Sequence, residues 1–185
     1  MGNRREQILA SAATLFAERG FRGVSVNDIG EACGISGPVI YKHFSGKDQL
    51  LAESLSTISA RLLHEGRLRF DKAANPHEAL GELIDWHVSF ALSEPALIVI
   101  QEREWPNLST EAQDQVRTLQ HAYIDLWVDT LTHVRADWDR TTARAAAQAV
   151  FGLINSTPHS ARIDSEGMRQ LLTSLAHNAV KPAAD

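Results

Sequence analysis

The chain has 185 residues, and its 18 lysines and arginines against 23 aspartates and glutamates give a formal net charge of −5. Apolar residues make up 44% of the chain, which is enough to build a core and excludes a wholly disordered protein. The single cysteine, Cys33, excludes a disulfide framework and any metal site that needs several cysteines. The longest uninterrupted apolar stretch is 96–100, so we expect no membrane span, no secretory signal and a cytoplasmic protein.

The charge is divided unevenly along the chain. Residues 1–50 carry six basic and five acidic side chains, whereas the remainder carries twelve basic and eighteen acidic ones. A slightly positive N-terminal part on an acidic body argues against general coating of nucleic acid. It permits a small, directed nucleic-acid contact at the N-terminal end.

Apolar residues at helical spacing predict helices through nearly the whole first part of the chain, and polar or small residues mark where each helix begins or ends. The expected boundaries, in chain order, are Gly20 after the first helix, Ser25 as the cap of the second, Gly34-Ile35 as a break, Ser36 as the cap of a short third helix, and Gly46-Lys47 at the start of a long fourth. Pro38 is compatible with the first turn of the third helix, where backbone amides have no helical partner.

The rest of the chain also reads as helices, so the predicted fold class is all-α. Boundaries are expected at Asn75-Pro76, at Glu94-Pro95, in a loop at 105–108, at a capping box of Thr110 and Gln113 that opens a helix to about Val134, and around helices at 141–155 and 165–180. The segment 96–100 is apolar on every side, which predicts burial on every side.

Residues 25–47 carry the strongest functional signal. Two short helices separated by a tight turn at Gly34 and Ile35 form a helix-turn-helix pattern, whose second helix can enter a DNA major groove. One side of that second helix offers hydrogen-bond donors, from Ser36, Gly37, Tyr41, Lys42 and His43. The small residues at its start allow close approach of its backbone to another molecule.

The run from Ile29 to Phe44, IGEACGISGPVIYKHF, followed by Lys47 and Leu50, resembles the DNA-binding domain of TetR-type transcriptional regulators. The resemblance implies an N-terminal three-helix helix-turn-helix domain over residues 1–50. It implies a C-terminal helical domain over 51–185 that binds an effector and forms a dimer. Gly30 and Pro38 depart from the residues most common in the family, and Pro38 removes a backbone donor.

Carried over by position, the resemblance implies two kinds of DNA contact. Phosphates would be held by Tyr41, His43 and Lys47, and by Ser25 at the cap of the second helix. Ser36, Gly37, Val39 and Lys42 would face the groove, with Pro38 among them. Phosphate contacts position a protein on DNA, whereas contacts to base edges read the sequence. A role for Tyr41 as a core aromatic is the competing interpretation. Phe44, Val39 and Ile40 favour the core over DNA contact, so Val39 has both a core and a groove-facing interpretation.

An apolar pocket with a few polar groups is the usual design of a ligand site. Aromatic residues cluster between positions 86 and 151, and three of the four tryptophans fall between 86 and 127. The candidate effector residues are Trp86, His87, Phe90, Trp105, Tyr123, Trp127, Phe151 and Asn155. Ordinary packing is the alternative for each of them. The segment 102–105 would end the helix that couples the pocket to the DNA-binding domain, and the overall pattern is similar to members of the family that respond to lipids or acyl-CoA.

Other chemistry is less well supported by the sequence. His121, Asp125, Asp129 and His133 share one helical face, and a solvated polar stripe explains them better than a metal site. We expect no cofactor, no metal and no enzymatic activity, because no nucleophile elbow, phosphate loop or metalloprotease spacing occurs.

The sequence therefore predicts a ligand-responsive repressor that binds a palindromic DNA operator as a homodimer and is released by a small, largely apolar effector. The dimer interface is expected from helices 141–155 and 165–180, through the small residues Ala145, Ala149 and Gly152 and the apolar residues Leu171, Leu172 and Leu175. The alternative is a helix-turn-helix regulator without a small-molecule ligand, controlled by a partner protein or constitutive.

Overall fold

The computed structural model describes residues 4–181, and all the regular structure in that range is helical. The all-α prediction is confirmed. The helices are α1 (Arg4–Arg19), α2 (Val26–Ala32), α3 (Gly37–Ile40), α4 (Lys47–Lys72), α5 (Pro76–Ser93), α6 (Pro95–Glu104), α7 (Thr110–Val134), α8 (Arg140–Ile154), α9 (Thr157–Ser160) and α10 (Ser165–Val180), with a short 3₁₀ turn at Trp105–Asn107.

The helices form two compact units. The N-terminal unit comprises the described residues up to Ser59 together with Ala96–Arg117, and the C-terminal unit comprises Ala60–Pro95 with the described residues from Thr118 onward. The helices α4 and α7 contribute residues to both. The boundary expected at residue 50, between a DNA-binding domain and an effector-binding domain, is defined by function and stays a prediction.

The core of the N-terminal unit draws on two separate stretches of the chain. Its fully buried side chains from the first stretch include Ile8, Phe16, Ile29, Ile40, Phe44, Leu50 and Leu55. Ile100, Leu108, Ala112 and Val116 join the same core from α6 and α7. The helix-turn-helix segment is therefore packed partly by residues far away in sequence.

The early helix boundaries agree with the sequence. Gly20 and Gly34 adopt φ values of +76° and +65°, the left-handed conformation that lets the chain turn after a helix. Ser25 caps α2 in a complete capping box: its hydroxyl accepts from the Asp28 amide, and the Asp28 carboxylate accepts from the Ser25 amide at 2.7 Å. Ser36 precedes α3 without a capping hydrogen bond from its side chain.

The capping box predicted from Thr110 and Gln113 at the start of α7 is not observed. The hydroxyl that accepts a backbone amide at the start of α7 belongs to Ser109, which bonds Ala112 at 3.2 Å, and not to Thr110. The Gln113 side chain instead donates to the carbonyls of Trp105 and Leu108, at the two ends of the preceding 3₁₀ turn.

The segment 96–100 is not buried on every side. Ile98 and Ile100 are buried, while Ala96, Leu97 and Val99 are half-buried. An apolar helix of this length thus packs its inner face and leaves the other face partly open. Within residues 4–181 no single helix is long and apolar enough to cross a membrane; α5 and the α6 segment pass such a test only as a pair bent by 83°, on length and composition alone.

Candidate nucleic-acid interface and buried aromatic cluster

The turn between α2 and α3 is unusually tight at Gly30. The Ile35 amide donates to the Gly30 carbonyl at 2.9 Å. A Cβ atom at Gly30 would lie 2.8 Å from the Ile35 carbonyl oxygen and 3.1 Å from the Gly37 nitrogen. The missing side chain therefore allows α2 to lie against the turn and the first residue of α3.

Most of the residues predicted to contact DNA lie on the open side of the helix-turn-helix. Ser25, Ser36, Pro38, Tyr41 and Lys42 are exposed, Val39, His43 and Lys47 are half-buried, and Gly37 is buried. The Tyr41 side chain is 59% exposed, which rules out its competing role as a core aromatic. Ile40 and Phe44 are core residues, as expected. Gly37 packs against Asn27, whose side-chain oxygen would lie 2.0 Å from an added Cβ.

Lys47 holds the loop that joins α1 to α2. Its ammonium donates to the carbonyls of Phe21 at 2.9 Å and Val24 at 3.2 Å, and it lies 4.4 Å from the centre of the Phe21 ring. A surface cleft of about 510 Å³ opens beside it, lined in part by Ser25 and Tyr41. Because an ammonium has three donors, one remains for an anion in that cleft.

The C-terminal unit contains a buried aromatic cluster around His87. Its ring stacks on Phe151 at 4.6 Å and on Tyr123 at 5.8 Å between centroids, while Trp127 meets it edge-on at 6.1 Å. One ring nitrogen, Nε2, lies 3.2 Å from the Asn155 oxygen and the other lies 3.3 Å from the Tyr123 hydroxyl. This pairing fits a neutral ring that donates from Nε2 and accepts at Nδ1.

A glycine on α4 makes room for this cluster. A Cβ atom at Gly66 would lie 2.7 Å from the Tyr123 ring, so α4 can pass close to that ring only without a side chain there. Trp127 is completely buried, and its indole nitrogen has no hydrogen-bond partner among residues 4–181. Sequence reasoning missed Gly66, whose one signal is its position inside a long helix.

Both titratable groups in the cluster are uncharged near neutral pH. Burial lowers the pKa of His87 to about 4, against an opposing effect of its hydrogen bond to Asn155. Burial also raises the pKa of the Tyr123 hydroxyl above its usual range. The cluster is therefore a neutral, apolar environment that contains hydrogen-bonding atoms but no net charge.

Acidification should destabilise the fold through His87. The unfolded chain takes up a proton near the ordinary pKa of 6.5, whereas the folded His87 resists protonation until about pH 4. The His87 contribution to stability is thus fully present above pH 6.5 and is lost as the pH falls toward 4. Between pH 7 and 5 we expect a loss of about 2 kcal/mol in the free energy of unfolding. Urea titrations at both pH values measure it, and the loss should be much smaller in His87→Gln; an equal loss in that variant would assign it to other groups.

The remaining candidate effector residues have other surroundings. Phe90 meets His87 edge-on at 5.9 Å and is buried. Trp86 donates to the Leu62 carbonyl at 3.2 Å, and the Arg69 guanidinium lies 4.6 Å from its ring. Trp105 belongs to the N-terminal unit, where it packs against that unit's core. The expected grouping of Trp105 with the other aromatic residues is therefore not observed.

Residues 103 and 104 tie the end of α6 to α1. Arg103 donates from Nη2 to the carbonyls of Phe16 and Ala17, and from Nε to Glu104 at 2.8 Å. Glu104 is 5% exposed and also accepts from Asn107 at 2.8 Å. The buried carboxylate is thus paired, and Arg103 adds hydrogen bonds to two carbonyls in the last turn of α1, where the Phe16 carbonyl also accepts from the Gly20 amide.

The acidic residues of the polar stripe on α7 have cationic partners. Asp125 pairs with Arg144, and Asp129 pairs with Arg140 at 2.6 Å, so α7 and α8 are joined by two surface ion pairs. Within residues 4–181 no group of three or more metal-binding side chains comes together.

Comparison with known proteins places both parts of the chain. Residues 8–54 match the family model described as bacterial regulatory proteins, tetR family, and residues 73–159 match the tetracyclin repressor-like C-terminal domain. The chain belongs to the TetR family. That family is one of bacterial regulatory proteins, and the exposed helix-turn-helix face lies within the stretch that its model matches.

Individual relatives of this TetR-family chain support the assignment. The transcriptional repressor KstR2 of Mycolicibacterium smegmatis is 33% identical over 136 residues, a match that covers 73% of this chain and 66% of the relative. The structure of the ketosteroid transcriptional regulator KstR2 of Mycobacterium tuberculosis has a TM-score of 0.82 at 24% identity, covering 97% of this chain and 94% of the other. The crystal structure of AibR in complex with isovaleryl coenzyme A and operator DNA has a TM-score of 0.75 at 20% identity. The match covers 94% of this chain and 97% of the AibR chain.

Proposed function

We propose that this regulator is a repressor that binds a palindromic operator as a homodimer and releases it when a small, largely apolar effector binds the C-terminal unit. The observation that carries the proposal is the helix-turn-helix with an exposed polar edge, in a chain whose sequence matches the repressor KstR2.

In the DNA complex, the phosphate contacts come from the side chains around the cleft beside Lys47. Tyr41, His43 and Lys47 hold phosphates, and Ser25 adds a contact at the start of α2. Ser36, Val39 and Lys42 face the groove, together with the backbone at Gly37 and Pro38. The exposure of Tyr41 and Lys42 supports this assignment, because a contact to a phosphate or to the groove requires a side chain that reaches beyond the protein surface.

The dimer forms through α8 and α10. Leu171 and Leu175 are 47% and 43% exposed, although they are large apolar residues on a regular helix. Ala145, Ala149 and Gly152 are exposed on α8, which packs beside α10. Leu172, expected in the interface, is buried within the unit and supports α10 from inside. A two-fold dimer brings two identical heads to the two halves of a palindrome.

The effector is neutral where it meets the cluster around His87. His87 and Tyr123 are both uncharged near pH 7, and an uncompensated charge beside them would be costly. KstR2 is described as a ketosteroid regulator and AibR is described with isovaleryl coenzyme A. A ketosteroid and a short acyl-CoA are therefore the first two probes, and only the acyl part of the second would enter the neutral cluster.

One experiment tests the whole proposal. The protein is used to select binding sequences from a random library of DNA duplexes, and each probe is then added to the complex with the selected duplex. We expect a palindromic consensus, and release of about 5–150-fold by an effective ligand. Selection without any consensus would contradict operator binding. A clear consensus with no release by either probe or by a wider set of apolar metabolites would favour control by a partner protein.

Lys47→Ala should weaken binding to the selected operator and to a scrambled duplex by about the same factor. A phosphate contact contributes charge but carries no sequence information, so the slope of log affinity against log salt should fall by about one. Titrations at several salt concentrations measure both quantities, with Lys72→Ala, at the other end of α4, as the matched control. A loss restricted to the operator would instead show that Lys47 reads bases.

A further inference from the structure

The geometry of the N-terminal unit points to a clamp, formed by Arg5 and Glu53, that positions the recognition segment and so sets operator specificity without contacting DNA. The recognition segment is defined here as residues 37–43. The inference rests on the proposed DNA binding. It adds two positioning residues that lie outside the helix-turn-helix motif, one on α1 and one on α4.

Arg5 contacts three structural elements at once. Its Nη2 donates to both carboxylate oxygens of Glu53 at 2.6 Å, and its Nε donates to one of them at 3.1 Å. Its Nη1 donates to the His43 carbonyl at 2.6 Å, and the guanidinium lies 4.2 Å from the centre of the buried Phe44 ring. One planar side chain thus joins α1 to α4 and to the backbone at the end of the recognition segment.

The network continues beyond the His43 carbonyl. Gln49 donates to Glu53 at 3.4 Å, and the Gln49 side-chain oxygen accepts from the Ser45 amide at 2.6 Å and the Ser45 hydroxyl at 3.0 Å. Side chains that share Glu53 therefore hold two backbone groups, one on each side of Phe44. The chain leaving the recognition segment is fixed on both sides of that buried ring.

The recognition segment depends on such outside contacts because it has little rigidity of its own. The helix α3 has only four residues, and Ser36 gives it no side-chain cap. A helix this short is not stable by itself, so packing and tertiary hydrogen bonds must determine its position. Tyr41 and Lys42 immediately precede His43, and a shift of the His43 carbonyl would move both of them relative to a groove.

Arg5→Lys and Glu53→Gln test the clamp. Lysine keeps the charge but cannot reproduce the planar fork that reaches Glu53 and the His43 carbonyl together. We expect each variant to lower the ratio of operator affinity to scrambled-duplex affinity about tenfold, the equivalent of one charge-assisted hydrogen bond. Scrambled-duplex affinity should fall by a much smaller factor than operator affinity in Arg5→Lys. Arg4→Lys is the matched control and should keep the wild-type ratio, because Arg4 lies on the same helix but is exposed and bonds Gln7 within that helix.

The sign of the Glu53→Gln result is decisive. If Glu53 acted only as a negative charge near DNA, its removal would strengthen binding to both duplexes, whereas loss of the clamp weakens binding to the operator. If Arg5 contacted a phosphate, Arg5→Lys would weaken both duplexes equally. Either outcome, or an unchanged affinity ratio in both folded variants, overturns the clamp.

Amide hydrogen exchange supplies a readout that needs no DNA. In both variants exchange should become faster at residues 41–45 and remain unchanged in α2, and uniform protection would contradict the clamp. Selection of DNA by the wild-type protein distinguishes a failure of the proposed operator binding from a failure of the clamp. A wild-type protein that selects no consensus contradicts the proposed operator binding, whereas a wild-type consensus with insensitive variants contradicts only the clamp.

Discussion

Aspartate in place of both Leu171 and Leu175 is expected to produce a monomer whose operator affinity is lower by about 100-fold or more. The two leucines are exposed on one side of α10, and in a two-fold interface each substitution occurs twice, which places four carboxylates together. Like charges brought together at an interface cost several kcal/mol, and each 1.4 kcal/mol is about tenfold in affinity. Light scattering gives the mass, and titration of the selected operator gives the affinity.

Leu68→Asp is the matched control for the dimer variant. Leu68 is 39% exposed on α4, a comparable exposure on a helix outside the proposed interface, and its replacement should leave mass and affinity unchanged. Far-ultraviolet circular dichroism should show that both proteins keep their helices. A wild-type mass near that of a single 20.4 kDa chain at micromolar concentration would contradict the dimer directly.

Trp127→Ala is expected to lower the free energy of unfolding by about 3–5 kcal/mol, the usual cost of deleting a buried tryptophan. Trp127 is fully buried, with the Phe151 ring 4.9 Å away and the His87 ring 6.1 Å away. Its loss would leave a cavity at the centre of the aromatic cluster. Urea denaturation measures the change, and Trp138→Ala, at a half-buried tryptophan after α7, should cost less.

Trp127→Phe separates packing from effector binding. Phenylalanine keeps most of the apolar volume and removes an indole nitrogen for which the described part of the chain supplies no hydrogen-bond partner. We therefore expect a much smaller loss of stability than with alanine. Release of the operator by an effective ligand can then be measured on a folded protein. Wild-type stability in Trp127→Ala, combined with weakened release, would show that the ring lines an open site rather than a packed one.

The sequence predicts helices well where a periodic apolar face coincides with a clear local boundary. Gly20, Ser25 and Gly34 end or begin helices as expected, because left-handed glycines and capping hydroxyls act within a few residues. The prediction fails at Thr110 and Gln113, where the residue spacing suits a capping box. There Gln113 bonds carbonyls of the preceding turn, and that competition depends on the path of the chain and not on spacing.

The candidate sites were predictable to different degrees. The motif predicts which residues of the helix-turn-helix are exposed. Its apolar residues Ile40 and Phe44 are buried in the core, which leaves polar neighbours such as Tyr41 on the open side. Nearness in sequence predicts that Trp105 joins the aromatic cluster, but Trp105 packs in the N-terminal unit. The pairing of Arg5 with Glu53 joins residues 48 positions apart, so no local sequence pattern predicts it.

The shared core of the N-terminal unit has a consequence for building hybrid regulators, in which the DNA-reading part of one protein is joined to the sensing part of another. A graft cut after Ser59 would leave behind Ile100, Leu108 and Val116, and it would strip the Arg103 bonds from the last carbonyls of α1. Such a graft would inherit an incomplete core from its donor. The unit to transfer is therefore made of two separate stretches of the chain. A working hybrid must carry residues 96–117 together with residues 1–59.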